Sequence, residues 1–454
     1  MNFVDLNASG GIGANAQYLE IGPFRLLVDA GMHPGKAGLD ALPDFSLIAN
    51  DSLDFVLLTH CHLDHLGALP LALRNQARAE VILSFPSKFL AARMLHNSCA
   101  IMKRQRESLQ LNELPLYTHR EVDQTCRQFH PLPYGRPRTF HAHGEEIEIA
   151  LFAAGHIPGA AGFRIIYKHR RIFFTGDVLF ENQLTLAGAQ FPQDVVDTLV
   201  LETTRGATEI TRRGHPRRQS EIDRLIGTLD HALSHGGSVL LPVFALGRMQ
   251  EILAIINDAR AKGTLRSTPV FSAGLGMDLA DIFDEISRKT GLVKFRKRVL
   301  KNLRVKALPQ MPQPGRSPEA SGIYILGSGM MIEHTPSYLM AASLLENHQN
   351  AVCFVGYCDP QTPGGKLLAA GTGATYLFEA IDYASPVHAR VERFDLSGHA
   401  DRDQLLNYAM KIDPRSIVLT HGDADARDWF FNELTYHSPN TTVLDPLPLR
   451  RYLV

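Results

Sequence analysis

Residues 55–65 read FVLLTHCHLDH and are the most informative part of the sequence. An apolar run typical of a buried strand leads directly into three histidines and an aspartate. Histidine makes up only 20 of the 454 residues, so three at set positions around an aspartate stand out from the background. Neutral imidazole and carboxylate groups are ligands that suit Zn²⁺. We therefore predict a metal-binding loop with the ligands His60, His62, Asp64 and His65.

Three further candidate ligands occupy the same kind of position later in the chain. His156 follows IALFAAG, Asp177 follows RIFFTG, and His421 follows SIVLT. Each lies just past the end of an apolar run, and polar groups at the ends of several strands converge at one edge of a sheet. We therefore expect these side chains to join the loop in a single site.

The composition is that of an ordinary globular protein. Hydrophobic residues make up 45% and charged residues 20% of the chain, which excludes a disordered, collagen-like or repeat-dominated protein. The formal net charge is −1, so a polyanion must be held by local basic patches rather than by the overall charge. The length of 454 residues suggests about two to four domains.

Cysteine usage and the amino-terminal residues bear on location. The five cysteines include no CxxC pair, so we expect neither a disulfide framework nor a cysteine zinc site. The first residues, MNFVDLNASGG, lack a basic segment followed by an apolar run, and no uncharged apolar run approaches the ~18 residues of a spanning helix. We expect a cytoplasmic protein without a signal peptide or a membrane segment.

The pattern of apolar runs divides the chain into two α/β regions. Before residue 206, short strand-like runs alternate with glycine-rich turns and two helical segments. The predicted strands there are 15–21, 24–28, 55–58, 81–84, 147–153, 163–167, 172–174 and 198–201, and the predicted helices are 86–96 and 120–129. After residue 206, strands and helices alternate as in a parallel α/β unit. The predicted helices there are 221–234, 248–261, 276–289 and 336–345, and the predicted strands are 238–242, 269–271, 323–326 and 351–354.

Together, the candidate ligands resemble those of the metallo-β-lactamase superfamily, in which an HxHxDH loop, a later histidine, a bridging aspartate and a final histidine hold two metal ions. The resemblance implies two Zn²⁺ ions, with Mn²⁺ as the alternative metal. It implies that one ion is bound by His60, His62 and His156, that the other is bound by Asp64, His65 and His421, and that Asp177 bridges them. It also implies that Asp29, in RLLVDAG, braces the metal loop.

A second set of motifs is similar to the β-CASP branch of nucleases, in particular to the bacterial and archaeal homologues of the nuclease subunit of the cleavage and polyadenylation specificity factor. These motifs are Glu202 in ETTRG, His399 in FDLSGHAD, SVLLPVFALGRMQEIL at 238–253, GSGMM at 327–331 and GYCDPQTPGGKL at 356–367. The implied fold is α/β, with an αββα metallo-β-lactamase sandwich and an inserted α/β cap domain. We place the sandwich at 1–206 and 387–454 and the cap at 207–386.

The implied activity is zinc-dependent hydrolysis of phosphodiester bonds in single-stranded RNA, by two-metal in-line attack in a cleft between the domains. Endonuclease cleavage is favoured and 5′-exonuclease activity is left open. A histidine at the position of His421 is typical of the RNA-processing members of the branch. The predicted catalytic residues are Asp64, Glu202 and His399, and the predicted substrate-binding residues are Arg248, Ser328 and Lys366.

Other functions stay open at this point. A DNA nuclease of the same branch would share the chemistry and differ in its groove. A catalytically silent scaffold subunit would have lost metal ligands, whereas every expected ligand is present here. A small-ester hydrolase fits less well, because the long insertion predicts a cleft for a polymer. The chain departs from the relatives at Gly398, where they tend to have alanine, and at Lys366, where they often have arginine. Both a monomer and a homodimer are compatible with the sequence.

Two basic segments are candidates for binding a nucleic-acid strand. The denser one, at 294–306, reads KFRKRVLKNLRVK, and Phe295 within it is a candidate for stacking on a base. The other is the loop at 212–218. A purely solvated surface is the alternative for both segments.

Overall fold

A computed structural model describes residues 1–208 and 218–454 of the chain. These residues form two compact units. The first contains residues 1–182, 188–208 and 399–454, and the second contains residues 183–187 and 218–398. Apart from Arg218, the basic loop singled out in the sequence lies outside the described residues. Within the described ranges, none of the helices combines the length and the apolar character that a membrane crossing requires.

The first unit contains two seven-stranded β-sheets and six α-helices among its described residues. Its strands are β1 (Asn2–Asp5), β2 (Gln17–Ile21), β3 (Phe24–Val28), β4 (Phe55–Leu57), β5 (Glu80–Ser84), β6 (Phe129–Leu132), β7 (Arg138–Ala142), β8 (Glu145–Ala153), β9 (Ala161–Tyr167), β10 (Arg170–Phe174), β11 (Thr198–Glu202), β20 (Ser416–Thr420), β21 (Thr442–Leu444) and β22 (Arg451–Leu453). Its helices are α1 (Leu63–Leu66), α2 (Leu69–Leu73), α3 (Phe85–Leu109), α4 (His119–Arg127), α11 (Arg402–Ile412) and α12 (Ala424–His437).

Each sheet of the first unit is antiparallel in one half and parallel in the other. The first sheet has the order β22-β1-β2-β3-β4-β5-β6 and is parallel from β3 to β6. The second has the order β21-β20-β11-β10-β9-β8-β7 and is parallel from β10 to β21. Apolar side chains from both sheets, such as Leu57 and Phe163, share one core. Helix α3 packs on the first sheet and α12 on the second, which gives the predicted αββα sandwich.

Local sequence explains the elements that lead into the site. Strand β4 is buried along its whole length between the parallel strands β3 and β5, so it reads as an unbroken apolar run. Helix α3 begins after Ser84, whose side chain accepts a hydrogen bond from the Ser87 amide, and Pro86 lies in its first turn. Helix α11 begins in the same way at Asp401, whose carboxylate accepts a hydrogen bond from the Gln404 amide.

The second unit contains a six-stranded parallel sheet with the order β14-β13-β15-β12-β16-β19 and a separate antiparallel pair, β17-β18. Its strands are β12 (Val239–Pro242), β13 (Val270–Ser272), β14 (Val305–Ala307), β15 (Ile323–Leu326), β16 (Ala351–Phe354), β17 (Thr375–Phe378), β18 (Tyr383–Pro386) and β19 (Arg390–Arg393). Its helices are α5 (Arg218–Ser234), α6 (Arg248–Ala261), α7 (Leu275–Thr290), α8 (Arg298–Leu303), α9 (Pro336–Leu344) and α10 (Pro363–Ala370). This is the parallel α/β unit that the sequence predicts.

Several element boundaries differ from the sequence-based expectation. The helix expected at 86–96 continues to Leu109. Its second half is hard to recognise in the sequence, because its buried positions are Ser98, Cys99 and Met102 rather than large apolar residues. Strands β7 and β22 were not expected, since edge strands with one buried residue or none carry almost no apolar signal. Strand β19, which the sequence places in the sandwich, pairs with β16 in the sheet of the second unit.

The expectation that Phe295 stacks on a base is wrong. The side chain is only 1% exposed and packs edge to face on Phe283 of α7. The charged residues around it take the exposed positions, so the apolar ring turns inward into the core of the second unit.

We expect Gly227→Ala to stabilise helix α5. A Cβ atom at Gly227 would meet no described atom within 4 Å, and alanine loses less backbone entropy than glycine in a helix interior. The expected gain is about 0.5–1 kcal/mol in the free energy of unfolding of the second unit, measured by urea titration followed by circular dichroism. Gly276→Ala in α7 is the matched control, because its Cβ would lie 2.1 Å from Met249 Sδ and should give a loss. A loss for Gly227→Ala would contradict the account of α5.

Candidate metal centre

The loop after β4 is held by Asp29, which follows β3 directly. The Asp29 carboxylate accepts hydrogen bonds of 2.7 Å from both the amide and the hydroxyl of Thr59 at the start of the loop. Its Oδ2 atom also accepts a hydrogen bond of 2.8 Å from His65 Nδ1 at the end of the loop. Asp29 therefore fixes both ends of the segment that carries the predicted ligands, which is the bracing role expected for it.

The first group of converging side chains comes from three separate elements. His60 and His62 lie in the loop, His156 follows β8, and Asp177 follows β10. His62 Nδ1 lies 3.2 Å from His60 Nε2 and 3.0 Å from His156 Nε2. Asp177 Oδ2 lies 3.5 Å from His60 Nε2 and 3.7 Å from His156 Nε2. One atom from each of these residues lies within 4.8 Å of the others, so the four could hold one metal ion.

The second group joins the end of the loop to the residue that follows β20. His65 Nε2 lies 3.2 Å from His421 Nε2, and Asp64 Oδ2 lies 3.3 Å from His421 Nε2. These three residues form another set whose donor atoms are close enough to share an ion. Asp177 Oδ2 is also 3.4 Å from His65 Nε2, so the same carboxylate oxygen faces both groups.

The spacing of these atoms fits metal coordination. Zn²⁺–N bonds of about 2.0–2.1 Å in a tetrahedron place neighbouring ligand atoms roughly 3.3–3.4 Å apart. The ring nitrogens are 3.0–3.2 Å apart, and nitrogen lone pairs at this distance repel one another unless a proton or a cation lies among them. Asp177 Oδ1 is buried and accepts no hydrogen bond from the described residues, although His421 Nδ1 lies 3.3 Å away. The donor set thus suits a cation.

The protonation states also favour a cation. Burial, together with the neighbouring His65 ring, holds the pKa of His60 well below its usual value, so its imidazole is neutral. Burial alone would raise the pKa of Asp177, but His421, His65 and His60 outweigh it and hold this pKa well below its usual range. Burial alone would lower the pKa of His65 and of His421, but Asp177 and Asp64 outweigh it and raise both. The protons that these two rings hold balance the carboxylates, and a divalent metal ion would displace them.

A third pair of residues lies beside both groups. Glu202 ends β11, and its carboxylate accepts a hydrogen bond of 3.2 Å from His399 Nδ1. The other ring nitrogen, His399 Nε2, lies 4.0 Å from Asp177 Oδ2. Glu202 is 1% exposed and also accepts a hydrogen bond of 2.7 Å from the Val178 amide, so the histidine is held by a fixed partner.

Comparison with known protein families assigns three parts of the chain. Residues 18–204 match the model of a metallo-β-lactamase superfamily domain, and residues 249–367 match that of a β-CASP domain. Residues 385–440 match the model of a Zn-dependent metallo-hydrolase RNA specificity domain. The chain belongs to the β-CASP branch of the metallo-β-lactamase superfamily.

Curated relatives of this β-CASP chain come from archaea and eukaryotes. Transcription termination factor FttA of Cenarchaeum symbiosum is 28% identical, with 92% of this chain and 66% of that protein covered. Cleavage and polyadenylation specificity factor 73 of Drosophila melanogaster is 26% identical, with 92% and 59% covered. The chain thus spans less than two thirds of the length of these two relatives. Probable RNase MJ4 of Methanocaldococcus jannaschii is 26% identical, with 93% of both chains covered.

A solved structure shows the same fold. A protein of unknown function from Enterococcus faecalis V583 superposes with a TM-score of 0.53 and is 12% identical, with 100% of both chains covered. At this sequence identity the match shows a similar fold and nothing about function.

The three residues expected to bind substrate lie in the second unit of the β-CASP chain. Arg248 is the first residue of α6 and follows β12, Ser328 follows β15, and Lys366 lies in α10 after β16. Because β15, β12 and β16 are parallel neighbours, all three residues come after the carboxyl end of the sheet. Lys366 Nζ lies 3.7 Å from Glu379 Oε1.

Three residues of the centre were missed in the sequence. Thr59 Oγ1 lies 3.1 Å from His60 Nδ1, and Asn15 Nδ2 lies 3.0 Å from His65 Nδ1. The Thr204 hydroxyl lies 2.9 Å from His421 Nδ1 and donates a hydrogen bond to Glu202. Such contacts orient the rings that face the centre. The only available signal was proximity, since Thr59 precedes His60 and Thr204 comes two residues after Glu202.

We expect Gly31→Ala to disrupt the centre, because a Cβ atom there would lie 1.6 Å from the backbone oxygen of Asp64. That oxygen accepts a hydrogen bond from the Asn15 amide, so the backbone of the metal loop would have to move. We expect a loss of at least about 2 kcal/mol in the free energy of unfolding and a lower metal content. Denaturant titration and elemental analysis measure both, with Gly227→Ala as the control. Unchanged stability and metal content would contradict this role of Gly31.

Proposed function

We propose that this chain is a zinc-dependent ribonuclease that hydrolyses phosphodiester bonds of single-stranded RNA, with endonuclease cleavage favoured. The observation that carries the proposal is the His399–Glu202 pair beside two groups of metal-binding side chains. Two groups of metal-binding side chains alone would suit many kinds of hydrolase. A buried glutamate that orients a histidine toward the centre adds a proton donor for a leaving group. The names of the curated relatives, which include an RNase and a cleavage factor, support RNA as the substrate.

The residues of the centre divide into two sets in this proposal. One ion is assigned to His60, His62 and His156, the other to Asp64, His65 and His421, and Asp177 contributes to both. When bound, two Zn²⁺ ions polarise the phosphate and lower the pKa of water for in-line attack. The chain supplies the imidazoles, the ionised carboxylates and the rigid strand ends that hold them.

His399 is the proposed general acid. Its Nδ1–H donates to Glu202, which orients Nε2 toward Asp177. As the acid, the ring carries a proton on each nitrogen. In the reaction, water releases a proton to the solvent and its oxygen forms a bond to phosphorus, while the bond from phosphorus to the 3′ oxygen breaks. The proton on His399 Nε2 passes to that oxygen, which leaves a 3′-hydroxyl on one product and a 5′-phosphate on the other. Glu202 acts as a positioning residue through His399.

Arg248 is the strongest candidate for holding a phosphate of the RNA. Its Nη1 atom is buried and makes no hydrogen bond to any described residue. Burial lowers the pKa of Arg248 to about 9, which shows how poorly its charge is solvated. A phosphate oxygen would satisfy this cation. Ser328 and Lys366, which follow the same edge of the sheet, are the further proposed contacts, and the exposed ion pair of Lys366 costs little to break.

We expect the zinc-loaded chain to cleave single-stranded RNA in preference to DNA of the same sequence. Each substrate carries a 5′ label, and products are separated on a sequencing gel. Internal RNA fragments with 3′-hydroxyl ends are the expected result, and a chelator should abolish them. Preferential cleavage of DNA would contradict the RNA assignment and support a DNA nuclease. Absence of any cleavage with zinc bound would support a silent scaffold.

We expect His399→Ala to lower the cleavage rate by about 10²–10⁴-fold, because the departing 3′ oxygen loses its proton donor. A substrate with sulfur in place of the 3′ bridging oxygen tests this role. A thiolate leaves without protonation, since thiol pKa values lie near 8.5. The variant should therefore cleave the sulfur substrate at a rate close to that of the unmodified chain.

Two further variants separate the role of His399 from that of the metal-binding groups. Glu202→Gln should lower kcat with little change in KM, and the sulfur substrate should rescue most of the loss. Asp177→Asn is the control, because it removes a metal-binding group and should not be rescued by sulfur. An equal loss on both substrates for His399→Ala would contradict the general-acid assignment.

A further inference from the structure

One stretch of the second unit has a strongly one-sided charge. Residues 286–318 contain ten lysines and arginines and no aspartate or glutamate. The whole chain has a formal net charge of −1, so this segment departs sharply from the average. A concentrated charge of one sign creates a local field that attracts polyanions, even when the protein as a whole is neutral.

Nearby acids neutralise four of these ten cations. Arg288 pairs with Asp284 at 3.1 Å, and Lys289 pairs with Glu285 at 2.7 Å. Arg296 pairs with the same Asp284 at 3.3 Å, and Lys297 pairs with Asp281. All of these acids belong to α7.

Four exposed cations further along the segment have no such neighbour. We call Arg298, Lys301, Arg304 and Lys306 the basic face. All four are exposed, and within the described parts of the chain none forms an ion pair. Arg298 and Lys301 are three residues apart in α8, so they share one side of the helix, and Arg304 follows its last residue directly. Like charges at this spacing destabilise a helix, and a polyanion would relieve the repulsion.

The helix that carries the basic face is anchored on α6. Leu303 is buried, and its backbone oxygen accepts a hydrogen bond from Arg260 Nη1 at 3.4 Å. Asn302 Nδ2 donates to Asn257 Oδ1 at 3.2 Å. Lys306 lies in β14, the edge strand of the sheet. The cations therefore project from a fixed support, and a ligand need not order the backbone.

We propose that the basic face binds consecutive phosphates of single-stranded RNA, as a docking surface on the second unit. The inference rests on the proposed ribonuclease function for its choice of polyanion. Guanidinium and ammonium groups that alternate along a short helix and an adjoining strand suit a flexible phosphate backbone and carry no base specificity. The competing explanation is that Lys306 and its neighbours merely keep the edge strand from pairing with another chain.

Fluorescence anisotropy with a labelled 20-nucleotide RNA tests the proposal, in the zinc-loaded His399→Ala background so that the RNA persists. One variant replaces all four cations of the basic face with glutamine. The matched control replaces the exposed cations Lys88, Lys103, Arg104 and Arg106 of α3, which removes the same charge from the first unit. Circular dichroism checks that both fold. Lys301→Gln alone is the fallback if the fourfold variant does not.

The fourfold variant should weaken RNA binding by at least about tenfold at 0.1 M salt. In a plot of log affinity against log salt concentration, the magnitude of the slope should also fall by about 2.8, because each phosphate contact to a single strand contributes roughly 0.7 to it. Lys301→Gln alone should lower the magnitude of this slope by about 0.7.

Unchanged binding, or an equal loss in the α3 control, would overturn the proposal. Aggregation with normal RNA affinity would support the edge-strand explanation instead. Absence of RNA cleavage by the unmodified chain would refute the ribonuclease function without altering these binding measurements.

Discussion

The candidate centre depends on one buried carboxylate. Asp177 is 2% exposed, and its Oδ2 atom lies 3.4–3.7 Å from ring nitrogens of His65, His60 and His156. The same atom is 4.0 Å from His399 Nε2. A buried carboxylate is costly unless cations or hydrogen bonds surround it. Both groups of metal-binding side chains and the proposed proton donor, His399, are therefore arranged around the same negative charge.

Sheet geometry explains how distant parts of the sequence reach this carboxylate. Asp177 and His421 follow the carboxyl ends of β10 and β20, and Glu202 is the last residue of β11, which lies between them and parallel to both. Neighbouring strands lie about 4.8 Å apart, so residues just past their ends meet without long excursions of the chain. The histidine loop arrives from the other sheet, and Asp29 holds it at both ends. The donor atoms are thus placed by strands and hydrogen bonds rather than by mobile loops.

Much of this arrangement could be predicted because the ligands carry two signals at once. His156, Asp177 and His421 are residue types that bind metal ions, and each follows an apolar run that marks a strand end. Thr204 and Asn15 carry neither signal, since threonine and asparagine are not typical zinc ligands and act only through the rings that they contact. Which side of a charged segment faces solvent was also not evident in the sequence. The burial of Phe295 follows from its packing on Phe283, a residue 12 positions earlier, and not from the lysines and arginines that surround it.

The most direct test of the account is anomalous X-ray diffraction at the zinc edge from crystals of the zinc-loaded chain. We expect two peaks about 3.5–4 Å apart. One should be in contact with His60, His62 and His156, the other in contact with Asp64, His65 and His421, and Asp177 should touch both. A single peak away from Asp177, or none in zinc-saturated crystals, would contradict the central claim.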